Sequence, residues 1–214
     1  MHSRVRGAPG KLRANAPALR PIDNAQRTTP KDCYRSVSAF TKVQMETNAL
    51  PHFDDSINAT GCCPKFNPEG WDGTHLHFSD KAFARATSKA VMHIPIDMGQ
   101  VFERVQKHIA DAEAYAPESY VVLSRGLSPW ADEHLFAITA PVPQEEAVTL
   151  SGDFITKVFE GPYRQMKTWY QTMDDLAKAA GSDAKDIYFI YTTSPKCAKA
   201  YGKNYVVGFA RTGP

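Results

Sequence analysis

The stretch VTLSGDFITKVFEGPYRQMKTWYQTMDDLAKAAG (148–181) decides how this chain is read. It opens as a strand (148–159) and turns at Glu160-Gly161. It then places Met166, Trp169, Tyr170, Met173, Leu176 and Ala177 at spacings of three and four, the repeat of an apolar helix face. Pro162 suits a first helical turn, where its missing N–H has no partner to lose, and Gly181 is a natural C-terminal stop. Two strands follow, IYFIYTT (187–193) and NYVVGFA (204–210). Working toward the N-terminus, the same order recurs. AVMHIPI (90–96) reads as a strand, and a helix from Gly99 to about Ala114 carries Val101, Phe102, Val105 and Ile109 on one face. SYVVLSR (119–125) and HLFAITAPV (134–142) then read as strands, and a short one around HLHFSD (75–80) precedes the whole.

The order βαββ thus occurs twice. One such unit leaves an open sheet edge and too small a core, whereas two units joined edge to edge remove both problems. The predicted fold is α+β: two βαββ repeats forming a pseudo-twofold, largely antiparallel sheet with two helices on one face. A groove between those helices is the expected ligand site.

The 214 residues fit one domain with an extension. Residues 1–60 are expected to be a mostly disordered N-terminal extension and 61–214 the folded domain. Between Met1 and Lys31 stand seven basic residues, one acid (Asp23) and four prolines, with no apolar repeat to offset the entropy of ordering. An Arg-rich, acid-poor start resembles an organelle transit peptide, but Pro9, Pro17, Pro21 and Pro30 would interrupt its helix. Residues 34–50 suit at most a short docking helix.

Residues 1–60 carry 9 basic and 5 acidic side chains and residues 61–214 carry 16 and 18, so the folded part is near neutral and lacks the basic footprint of a nucleic-acid binder. No apolar run is long enough to span a bilayer or to form a secretory signal core, so no membrane partner and a cytoplasmic location are expected. Four cysteines, two of them adjacent (Cys62, Cys63), suit a reducing compartment better than a disulfide scaffold. The chain has no Gly-x-Ser-x-Gly elbow, no Walker A loop, no Gly-x-Gly-x-x-Gly turn and no His-Glu-x-x-His helix. Serine-hydrolase, nucleotide and zincin chemistries are thereby disfavoured.

The doubled βαββ order with FEGPYRQM (159–166) at the second helix resembles the GyrI-like superfamily, which includes gyrase inhibitors and the drug-binding domains of multidrug-responsive regulators. CCPKFNPEGWDG (62–73), HIPIDMG (93–99), LSPWADEHLFA (127–137), LSGDFITKVFEGPY (150–163) and PKCAKAYGKNYVVGFA (195–210) are similar to a bacterial branch labelled "hydrolase". The resemblance spans about 62–210. It implies small-molecule binding and a relation to cyclopropanoid cyclopropyl hydrolases, which add water to strained rings. The branch carries Cys-Pro-x-Cys before the last strand, where this chain has Ser194-Pro195-Lys196-Cys197.

Two carboxylates stand out as catalytic candidates, Glu133 beside Trp130 and Glu160 at the strand-to-helix turn, because an acid against indole is desolvated and tuned for proton transfer. The competing readings are a strand-edge charge for Glu133 and a partner for the helix dipole for Glu160. Tyr191 would orient a water. Trp130, Trp169, Tyr163 and Tyr170 would hold a flat ligand, with Trp169 and Tyr170 divided between core and groove. His93 is a further ligand-contact candidate. His75 and His77 share a strand face and could clip a metal; Cys62, Cys63 and Cys197 could gather with a histidine into a three-thiolate zinc site, but with Ser194 in place of a second cysteine inert buried thiols and no metal site are the expectation.

The expected function is a cofactor-independent small-molecule hydrolase acting on an apolar, aromatic or electrophilic compound. The rivals are a non-catalytic binder of drugs or toxins and a cysteine-based redox or metal protein. Limited trypsin digestion should remove residues 1–30 and leave a stable core beginning between about 35 and 60. Protection of Arg13 and Arg20 would contradict the assignment of an unfolded extension.

Overall fold

His75 to Val91 form one continuous 17-residue strand, β1, which buries Leu76, Phe78 and Phe83 on its inner side and Ala84 and Ala86 on its outer side. A computed structural model describes residues 46–52, 56–115, 117–183 and 185–213, all within the unit Gln44–Pro214. The expected extension and docking helix fall almost entirely outside the described residues. After β1 come β2 (Ile94–Pro95), α1 (Met98–Asp111), β3 (Val122–Ser128), β4 (Ala131–Ala137) and β5 (Glu146–Glu160). α2 (Met166–Ala179), β6 (Ile187–Tyr191), α3 (Pro195–Tyr201) and β7 (Tyr205–Arg211) complete the order.

The two short strands expected at 75–80 and 90–96 are corrected by β1. The chain runs straight through 81–89 because small alanines there present little bulk to the helix above. It reverses only at Met92 and His93, both in the left-handed region (φ 51° and 67°), so that β2 folds back on β1. Pro162 is extended and introduces a 3-10 turn, Tyr163–Gln165, before α2 starts. α3 was not expected. Ser194 caps it by accepting a hydrogen bond from the Cys197 N–H, Pro195 opens it, and Gly202 ends it at φ 72°.

The strands lie in the order β2-β1-β4-β3-β6-β7-β5, every pair of named strands is antiparallel, and β5 also pairs with β1. The α+β sheet therefore closes into a barrel-like arrangement. Register fixes the faces. Ala84, Phe136 and Val122 are aligned across β1, β4 and β3, and Ser124 is aligned with Phe189 of β6. Ala84 and Phe136 pack with Val101, Val105 and Ile109 of α1, while Phe189 packs with Trp169, Met173 and Ala177 of α2. Both helices accordingly cover the outer face. The inner face holds Phe78, Phe83, Leu123, Leu135, Phe154 and Phe209, with Phe154 and Phe209 stacked at 4.6 Å between centroids. No helix among the described residues is long and apolar enough to cross a membrane.

α2 approaches β7 closely because Gly208 has no side chain. A Cβ there would lie 2.5 Å from Met173 Sδ and 2.9 Å from a Phe159 ring carbon. Gly208→Ala should lower stability by about 1–3 kcal/mol through overpacking, read by urea denaturation. A neutral result would mean that Met173 repacks freely.

Candidate functional site

Along β4, side chains alternate between the two faces, and this alternation decides which acids meet solvent. Glu133 shares the inner face with Leu135 and Ala137. Its carboxylate lies 2.9 Å from Arg85 Nε and 2.7 Å from Arg125 Nε, and Arg125 continues to Asp186 (2.9 Å) and Asp186 to Arg211 (2.8 Å). Arg125 stacks over the Tyr188 ring at 4.9 Å. Glu133 is buried with both oxygens engaged by guanidiniums, so its position is that of a structural ion-pair centre.

Asp132 and His134 point the other way. His134 lies between two hydroxyls, Nδ1 at 2.9 Å from Ser124 Oγ and Nε2 at 2.8 Å from Ser88 Oγ, with the Phe102 ring edge-on at 5.0 Å. Burial lowers its pKa to about 4, against the weaker pull of Asp97. All three polar residues are buried, so this trio is a satisfied polar network with no nucleophile facing solvent.

Asp132 lies over Gly126. A Cβ on that glycine would sit 3.5 Å from Asp132 Oδ1 and 4.0 Å from His93 Nδ1, so carboxylate and imidazole converge above bare backbone. Burial raises the pKa of Asp132 and the His93 charge opposes that rise. Tyr191, facing outward from β6, is raised to about 12 by burial first and then by the charges of Asp132 and Tyr163. The Tyr163 ring meets Tyr191 edge-on at 5.8 Å, and its hydroxyl donates to the Thr193 carbonyl at 2.6 Å. Two backbone hydrogen bonds tie the turn after β1 to the β3–β4 turn: the His93 N–H donates to the Pro129 carbonyl (3.0 Å) and the Ala90 N–H to that of Trp130 (2.8 Å). A half-buried carboxylate, an imidazole and a phenol kept protonated thus stand on one face of the sheet beside a glycine that presents no side chain.

The remaining sequence candidates are dispersed. Trp130 is 60% exposed at the β3–β4 turn, and Tyr170 is half-exposed on α2 with its ring 6.5 Å from Phe189. Trp169 is buried and stacked on Phe159 at 5.4 Å, which makes it core and removes it from the ligand surface. Glu160 is exposed and paired with Lys203 at 3.2 Å. His77 is bonded to Asp153 at 2.7 Å. Cys62, Cys63 and Cys197 gather, and they are free thiols. Hydrogen bonding by the Ser194 and Thr60 side chains lowers Cys197 to about 6, whereas burial raises Cys63 to about 11. Asp132 was missed by sequence reasoning, although counting by twos from the apolar Leu135 would have turned Glu133 inward and Asp132 outward.

A family model described as bacterial hydrolase matches residues 53–212. No curated protein matches the chain. An uncharacterized conserved protein from Listeria innocua, known from its crystal structure, is similar at 10% identity, with a TM-score of 0.46 over 65% of this chain and 91% of that one.

The neutral His134 gives stability a pH dependence of known sign. The unfolded chain binds the proton near the ordinary 6.5 and the fold resists it until about 4, so this contribution is complete above pH 6.5 and declines as pH falls toward 4. The loss should approach about 3 kcal/mol. Denaturant unfolding of wild type and His134→Gln across that range should show the steeper slope only in wild type; parallel curves would count against the assignment.

Proposed function

Because the chain belongs to the bacterial hydrolase family, we propose that it hydrolyses an apolar, aromatic or electrophilic small molecule held on the outer sheet face between α1 and α2. The observation that carries this reading is the convergence of Asp132 and His93 over Gly126, with Tyr191 tied electrostatically to the same carboxylate. In the proposed reaction Asp132 takes a proton from water as the water oxygen bonds to the electrophilic carbon. The carboxylic acid so formed returns that proton to the leaving atom. Burial raises the pKa of Asp132, which makes its carboxylate a stronger proton acceptor than an exposed one. The His93 ring flanks the Asp132 carboxylate over Gly126, and the Tyr191 hydroxyl donates a hydrogen bond to the negative charge that develops on the substrate.

Tyr163, edge-on to Tyr191, and exposed Trp130, on the turn bonded to His93, supply ring faces for a flat ligand. Glu133 is assigned to stability and Glu160 to a surface ion pair, so the acid–base role passes to the neighbour of the first. The strand orders β1-β4-β3 and β5-β7-β6 support treating the two halves as copies of one βαββ unit, in keeping with the GyrI-like resemblance. The near-neutral charge of 61–214 supports a small-molecule partner over nucleic acid.

Purified protein incubated with strained-ring and ester electrophiles, with products followed by mass spectrometry, tests this reading. Asp132→Asn should reduce turnover roughly a hundredfold with little change in affinity. Glu160→Gln should leave turnover unchanged, and Trp130→Ala should weaken affinity more than turnover. Full activity in Asp132→Asn would overturn the mechanism. Saturable binding without product from any electrophile would replace the enzyme by a binder.

A further inference from the structure

Outside that surface, three cysteines from distant parts of the chain meet at one point. The sulfurs of Cys62, Cys63 and Cys197 all lie within 4.8 Å of one another, and Cys62 and Cys63 are 3.5 Å apart. Tetrahedral zinc with bonds of about 2.3 Å to sulfur requires its thiolates about 3.8 Å apart, so the three are already near ligating separation. The surrounding hydrogen bonds hold them there. The Ser194 N–H donates to Cys63 Sγ at 3.4 Å, and Thr60 Oγ1 stands 3.4 Å from Cys197 Sγ. The Tyr201 hydroxyl donates to the Cys63 carbonyl at 2.7 Å, which pins the 60–63 turn to α3. Such contacts orient sulfur ligands in metal sites.

The donor set is sulfur alone. Among the described residues no imidazole or carboxylate joins the group, which selects thiophilic cations over magnesium or calcium. Burial is graded, from Cys197 within, through half-buried Cys63, to exposed Cys62, so an ion would enter from the Cys62 side. We propose that Cys62, Cys63 and Cys197 form a three-sulfur site for a thiophilic d10 cation, Zn2+, with one coordination position left for a small non-protein ligand. Binding displaces the protons the three sulfurs still carry and ties the 56–66 segment to α3. The proposal is independent of the hydrolytic reading, since its readout is metal binding.

The full chain carrying Cys33→Ser, kept in a non-thiol reductant, contains only these three cysteines. Titration with Cd2+ should give a thiolate-to-metal charge-transfer band saturating at one ion per chain, and prior loading with Zn2+ should raise the Cd2+ concentration needed to reach it. Zn2+ at about a hundredfold excess over its dissociation constant should raise the melting temperature by about 5 °C or more. Adding Cys62→Ser, an exposed change that leaves the fold intact, should weaken Cd2+ binding by roughly a hundredfold and cut the band by about a third. Cys197→Ser should do the same. The proposal is overturned if three reduced thiols titrate freely while Cd2+ produces no band. It is equally overturned if the band and affinity survive both substitutions. A count of one thiol in metal-free protein isolated without reductant would replace the metal site by a disulfide.

Discussion

The pairing of β5 with β1 is the constraint on which the rest depends. Without it the strands would form an open sheet with two edges, and the phenylalanines on its inner face would meet water. With it, Phe78, Phe83, Phe154 and Phe209 face one another, and the inner space is filled by their rings. Side chains fill the interior of such a small barrel. Reactive groups are therefore left to the outer face and to the turns.

Closure also explains where the charges sit. Arg85, Glu133, Arg125, Asp186 and Arg211 form one chain of ion pairs, and each charge has an opposite partner at hydrogen-bond distance. Glu133 is tolerated in the interior because two guanidiniums replace its lost water. On the outer face, burial changes within two residues of β4. His134, beneath α1, is dry and satisfied, whereas Asp132 lies near the turns and keeps access to solvent. Two residues apart on one strand, they differ because one is covered by Phe102 and the other faces a glycine.

Much of the fold could be read from periodicity. The apolar faces of α1 and α2 were legible because residues at three and four apart are a helix signal that tertiary context rarely overrides, and the strands of the second half were found within a few residues. β1 was not, because Lys81, Arg85 and a run of alanines give a weak strand pattern. Its length is imposed by partners on both sides, β4 and β5. α3 was missed as well: seven residues are too few for a periodic signal, and Ser194-Pro195 with Gly202, which cap it, also suit a loop.

For the candidate site, sequence by itself determined the neighbourhood: the residue types in LSPWADEHLFA, the helix flanks, and a cysteine pair with a third cysteine far downstream. Only the tertiary structure decided between adjacent residues. A strand turns successive side chains to opposite faces, so Asp132 and Glu133 differ completely in environment although one bond separates them in the chain. Which face is inner depends on how six strands close, and that is a property of long-range pairing absent from any local window. The same holds for the meeting of Cys197 with Cys62 and Cys63: composition supplied the thiols, but their convergence required α3 to dock against the 60–63 turn, a contact written in hydrogen bonds between distant segments.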